Sequence, residues 1–170
     1  MKILLAQFSA YHLWAQQQVL DCVLLLPQAL REQPIVSSFG SLQATALHML
    51  DAESIWWQRI KLQEKITRPS DGFKGSFEEL AAALMVQSKQ WHEWVMAAQE
   101  HMLDHEFIYY NSKKQKFKQA TYQVLLHLFN HGTYHRGQMV TLLRQLGVSN
   151  IPATDFIVWS RKKQTGVNSK

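Results

Sequence analysis

A chain of 170 residues with 46% hydrophobic and 18% charged side chains is long enough to bury a core without disulfide staples, and too apolar for a disordered segment. The single cysteine, Cys22, excludes an internal disulfide framework, and its apolar neighbours predict a buried, inert thiol. The net charge of +5 is local: Lys113, Lys114, Lys116 and Lys118 lie in one segment, and Arg161, Lys162, Lys163 and Lys170 in another, so the remainder is net acidic. This distribution argues against a nucleic-acid-binding face, which would run along a helix or groove.

The apolar start at Met1 to Leu5 stops at Gln7, too short for a signal-peptide core. Val19 to Leu26 is interrupted by Asp21 and ended by Pro27, so no membrane span is expected and a cytoplasmic location is the default. From Ile3 to about Leu30, Leu4, Phe8, Tyr11, Trp14–Ala15, Val19, Cys22–Val23 and Leu26 recur every three or four residues, which predicts an amphipathic helix shortened or kinked near Pro27. Tyr11 is expected to pack and His12 to sit at a solvated edge, with a site-facing orientation as the alternative for both. Residues 31–40, with Pro34, two serines and a glycine, read as a connection. Ser41 then caps a second helix to about Glu64, whose inward stripe of Leu42, Thr45, His48–Met49, Ala52, Ile55–Trp56 and Arg59–Ile60 places His48 on the core side. Asp51 and Glu53 are expected to face solvent.

The turn-rich segment 65–75 is long enough to cross the end of a bundle, so the flanking helices need not be antiparallel neighbours. Ser76 and Glu79 form a capping box for a third helix to about Leu103. His101 and His105, four apart but flanked by Glu100, Asp104 and Glu106, read as a solvated helix end rather than a second metal site. Glu106 to Tyr110 and Gln115 to Gln119, flanking Asn111–Lys114, predict a small hairpin or extended loop. A fourth helix, Thr121 to Leu146, ends at Gly147. Pro152 to Asp155 starts a short helix through Trp159, and residues 161–170 form a basic, flexible tail. The expectation is one all-α domain over residues 1–160.

Chemistry concentrates in the fourth helix. His127, His131 and His135 form a ladder over two turns, and residues four apart share a face with about 6 Å of axial rise, so either adjacent pair could share one metal ion. With metal–nitrogen bonds of about 2.1 Å, all three rungs cannot converge on one ion. A third ligand must then come from another element, and His48 is the best candidate.

His48, the following Trp56-Trp57-Gln58-Arg59-Ile60, and the block His131-Gly132-Thr133-Tyr134-His135-Arg136-Gly137-Gln138 together resemble the DinB/YfiT-like family of metal-binding four-helix bundles. Tyr11-His12-Leu13-Trp14-Ala15 and Pro152-Ala153-Thr154-Asp155-Phe156 agree with it, and the resemblance runs from about residue 5 to 160. It implies helices in up-down-down-up order, a short C-terminal helix, and His131, His135 and His48 as metal ligands, with nickel or zinc as the ion. His127, Tyr134, Arg136, Gln138 and Tyr11 become candidates for pocket or supporting roles.

A three-histidine set leaves coordination positions open, which suits catalysis better than a closed structural site. The family is similar to bacillithiol- and mycothiol-dependent enzymes. The expected function is therefore a metal-dependent thiol S-transferase or hydrolase acting on a small molecule, with a low-molecular-weight thiol as possible co-substrate and a homodimer as the expected assembly. The contrasting class is a non-catalytic, metal-stabilised bundle that binds a small molecule or a protein. No general base stands out; Glu53, Tyr134 and Tyr11 are the options.

Overall fold

The structure, a computed structural model, describes residues 1–111 and 113–165, with the backbone alone for 162–165. Four long helices carry most of the chain: α1 (Lys2–Leu24), α3 (Leu42–Ile60), α4 (Phe77–Ala97) and α6 (Thr121–Gln145). Between and after them lie α2 (Gln28–Glu32), α5 (Glu100–Asp104), the strands β1 (Glu106–Tyr110) and β2 (Lys116–Ala120), and α7 (Phe156–Thr165). Local chemistry sets the ends. Ser41 accepts a hydrogen bond from the Ala44 N–H at 3.0 Å. Ser76 accepts from the Glu79 N–H at 3.2 Å, while the Glu79 carboxylate takes the Ser76 N–H at 2.7 Å, satisfying donors that a helix start leaves bare. Gly147, at φ +83°, closes α6 in a left-handed conformation that suits glycine.

Helix direction follows from which residues share a cluster. One apolar cluster joins Val19–Val23 at the end of α1, Leu42–Leu50 at the start of α3, Phe77–Leu84 at the start of α4 and Met139–Leu143 near the end of α6. The other joins Leu5 of α1, Trp56 and Trp57 of α3, Trp91 and Val95 of α4, and Leu125–Phe129 of α6. The helices therefore run up, down, down, up, with α1 packed on α4 and α6, and α3 packed on the same two. The connection 61–76 returns the chain to the far end of the bundle, which makes α3 and α4 parallel neighbours. β1 and β2 pair antiparallel, Glu106 opposite Ala120 and Tyr110 opposite Lys116.

Several sequence expectations shift. The first helix stops at Leu24, and Pro27 begins the separate α2, because proline fits a helix start and not its interior. The buried Arg31 donates to the Leu24 and Leu26 carbonyls, closing the end of α1. The second long helix ends at Ile60 and the third at Ala97, with α5 set apart from it. α1 buries Tyr11, Ala15, Val19 and Cys22–Val23 of its expected stripe, but Leu4 is 60% exposed, and Leu5, Ser9, His12, Gln16 and Leu20 join the core face. Cys22 is buried, and burial pushes its thiol pKa up. The final helix extends to Thr165, and residues 166–170 of the expected basic tail lie outside the described residues.

Candidate metal centre

α3 and α6 run antiparallel in contact, which brings His48 to the pair His131 and His135. The His131 and His135 Nε2 atoms face each other at 3.0 Å. The His48 ring lies 5.3 Å from that of His131 and 4.6 Å from that of His135, centre to centre. One ligand nitrogen from each of the three lies within 4.8 Å of the others. Three nitrogens that all sit about 2.1 Å from one ion would be separated by somewhat less than this, so the group could hold a metal ion. His135 is buried, while His48 and His131 are partly accessible.

The supporting contacts orient these rings. Gln138 Oε1 lies 2.7 Å from His135 Nδ1. A carbonyl oxygen only accepts, so Nδ1 carries the proton and Nε2 presents its lone pair toward His131. The Gln138 amide in turn donates to Ser38 Oγ at 3.2 Å, tying α6 to the loop before α3. From that loop Phe39 stacks on His48, with ring centres 4.1 Å apart and planes 19° from parallel, and meets His135 edge-on at 5.4 Å.

Electrostatics keep the imidazoles neutral, the form in which nitrogen binds a metal. Burial, followed by the neighbouring His135 and His48, pushes the His131 pKa down to about 4. Burial also lowers His48, helped by His135 and opposed by Asp51. His135 is lowered by burial against the opposing Gln138 hydrogen bond.

The remaining candidates scatter. His127 is exposed, its ring 5.6 Å from His131 and edge-on to Trp56 at 5.5 Å. Tyr134 is 62% exposed, although its ring touches the edge of His135. Arg136 and Tyr11 lie elsewhere. Tyr11 donates its hydroxyl to the Thr154 carbonyl at 2.8 Å. Arg136 is buried and donates to His12 Nδ1 at 3.1 Å, Gln16 Oε1 at 3.4 Å and Thr133 Oγ1 at 2.8 Å.

His12 and Glu53, expected near solvent, are both buried and bonded to each other, His12 Nε2 to Glu53 Oε1 at 2.9 Å. Arginine only donates, so His12 accepts at Nδ1 and donates from Nε2 to the carboxylate, which also takes the Ser88 hydroxyl. Burial lowers the His12 pKa, opposed by Glu53 and assisted by Arg136. Asp51 holds the Ser70 N–H and hydroxyl at 2.9 and 2.6 Å. His101 and His105 are exposed at the end of α5. Phe39 and Ser38 escape sequence reasoning because a loop has no periodicity to aim a side chain. Ser9 and His12 fall four and seven residues after the apolar Leu5, and Val19 another seven on, and this helical spacing was the available signal for the buried polar face.

The family model for DinB matches residues 1–165. The chain belongs to the DinB family. Protein DinB of Bacillus subtilis (strain 168) is 26% identical to it over 155 residues, which cover 86% of this chain and 87% of that protein. Two solved structures share the fold of this DinB-family chain. A DinB-like protein from Bacillus cereus ATCC 10987 has a TM-score of 0.65 at 21% identity, covering 85% of this chain and 91% of its own. A DinB-like protein from Bacillus subtilis has a TM-score of 0.66 at 14% identity, covering 88% and 98%. Among the described residues of the DinB-family chain, no helix is long and apolar enough to cross a membrane.

Proposed function

We propose that this protein is a divalent-metal-dependent enzyme, thiol S-transferase-like or hydrolase-like, with its ion held by His48, His131 and His135. What supports the reading is the convergence of three neutral imidazole nitrogens from α3 and α6 within 4.8 Å, one of them oriented by Gln138. Three uncharged imidazole donors suit zinc, nickel, copper or iron and leave positions for a small-molecule ligand, and the family resemblance selects nickel or zinc. When bound, the ion supplies Lewis acidity to a thiol or water that takes an open position.

The protein's own groups do the positioning. Gln138 fixes the His135 tautomer, Phe39 limits the approach over His48, and the partly accessible His131 leaves its side of the group open. Glu53 is unsuited as a general base, since His12 and Ser88 occupy its carboxylate in the core. The protein acts as a homodimer, which light scattering of the purified protein tests, and in the cytoplasm, which cell fractionation tests.

The second reading, a metal-stabilised bundle that binds without catalysis, draws on the Phe39 ring stacked over His48. Elemental analysis comes first. His48→Ala, His131→Ala and His135→Ala should each purify with sharply less metal, whereas His101→Ala and His105→Ala should keep it. A panel of thiol-transfer and ester-hydrolysis assays on the loaded protein then separates the two readings: turnover that disappears with the ion supports the enzyme, and full metal content without turnover supports the binding module. Undiminished metal in all three histidine variants would remove both.

A further inference from the structure

The face of α6 opposite the histidines borders a second cavity. With α1 and the segment 151–156 it encloses a cleft of about 630 Å³, within the size range of small-molecule sites. Its apolar wall includes Phe8, Val140 and Phe156, and its polar wall includes Arg136, Arg144 and Asp155.

Gly137 lines this cleft, and a Cβ built there would meet nothing within 4 Å. Glycine inside a helix costs about 1 kcal/mol relative to alanine, and no packed neighbour requires it here. Gly132 is different, since a Cβ there would strike His12 at 2.4 Å. The effect of Gly137 is to leave the cleft wall bare.

Arg136 supplies the charge. It is 2% exposed, and its hydrogen bonds go to the neutral acceptors His12 Nδ1, Gln16 Oε1 and Thr133 Oγ1, with Glu53 reached only behind His12. Two hydroxyls at this wall are engaged: that of Tyr11 donates to the Thr154 carbonyl and that of Thr133 to the Phe129 carbonyl. Two arginines against one aspartate give the lining one net positive charge.

We propose that this cleft is a binding site for a small amphiphilic monocarboxylate, its head toward Arg136 and Arg144 and its hydrocarbon against Phe8, Val140 and Phe156. A guanidinium and a carboxylate match in charge and planar geometry, and a mixed wall with apolar residues beside a single surplus charge favours one carboxylate on a hydrocarbon chain over a multiply charged phosphate.

The test titrates the isotope-labelled full chain with octanoate, using octanol and octylamine as controls, and follows the backbone amides. Octanoate should give saturable shifts at Gly137, Val140 and Ala153, octylamine should give none, and octanol should bind more weakly. Gly137→Leu puts an apolar side chain into the cleft from a position where a Cβ meets nothing within 4 Å, so it should abolish those shifts, with circular dichroism and the melting temperature showing that the variant is folded. Arg144→Gln should weaken binding about two- to fivefold, as expected for an exposed charge pair. His48→Ala should bind octanoate as the native chain does, which separates this site from the metal centre. Absence of saturable shifts into the millimolar range, equal binding of octylamine, or unchanged binding to Gly137→Leu would each overturn the proposal.

Discussion

At the scale of single residues, Gly132 and Gly137 share a helix and differ in what surrounds them. Gly132→Ala drives a methyl into His12, which is itself locked between Glu53 and Arg136, so a loss of about 1–3 kcal/mol is expected in chemical denaturation. Gly137→Ala meets nothing, and a gain of about 0.5–1 kcal/mol is expected. The histidines give a pH dependence with a definite sign. His131 falls from an ordinary 6.5 to about 4 on folding, and His12, His48 and His135 are lowered as well, so the unfolded chain binds more protons between these values. Stability from these groups is full above pH 6.5 and is lost as pH falls toward about 4. Melting curves of the metal-free protein across that range should fall steadily, and His131→Ala should flatten the slope. Gln138→Ala removes both the acceptor for His135 and the tie to Ser38, and should lower metal affinity about 10- to 100-fold in a chelator competition.

Among the elements, α1 carries the clearest conflict between pattern and fold. Its buried face includes Ser9, His12 and Gln16 beside Tyr11, Ala15 and Val19, so apolar periodicity finds part of that face and puts the exposed Leu4 in place of Leu5. Those polar groups are tolerated because they bond inside the bundle, His12 to Glu53 and Arg136, Ser9 to His92 and Gln16 through its Oε1 to Arg136, although the Gln16 amide nitrogen is left without a partner. Glu53→Ala leaves His12 and Arg136 buried without the carboxylate that holds His12, and a loss of about 3–5 kcal/mol is expected on denaturant unfolding. The loop before α3 holds Phe39 over His48, and its conformation depends on Gly40 at φ +81°. Phe39→Ala should leave metal stoichiometry intact and accelerate metal removal by a chelator in stopped-flow mixing.

Across the whole molecule, the up-down-down-up order makes α3 antiparallel to α6 and parallel to α4, and both consequences matter. The first sets His48 beside His131 and His135; the second sets Glu53 and Trp57 of α3 against Ser88 and Trp91 of α4. Trp91 is fully buried and its indole N–H reaches the Glu53 carbonyl at 3.2 Å, so Trp91→Ala should cost about 3–5 kcal/mol in thermal or chemical unfolding. The helix starts at Ser41 and Ser76, the stop at Gly147, the hairpin, and the pairing of His131 with His135 were legible in the chain, because each depends on residues a few positions apart. The reach of His48 to that pair was legible through the family pattern, and its distance was not. The burial of His12, Glu53 and Arg136, the placing of Phe39, and the cleft behind α6 were decided only by tertiary structure. Each depends on partners far apart in sequence, and a polar residue becomes a core residue only when such a partner satisfies its hydrogen bonds.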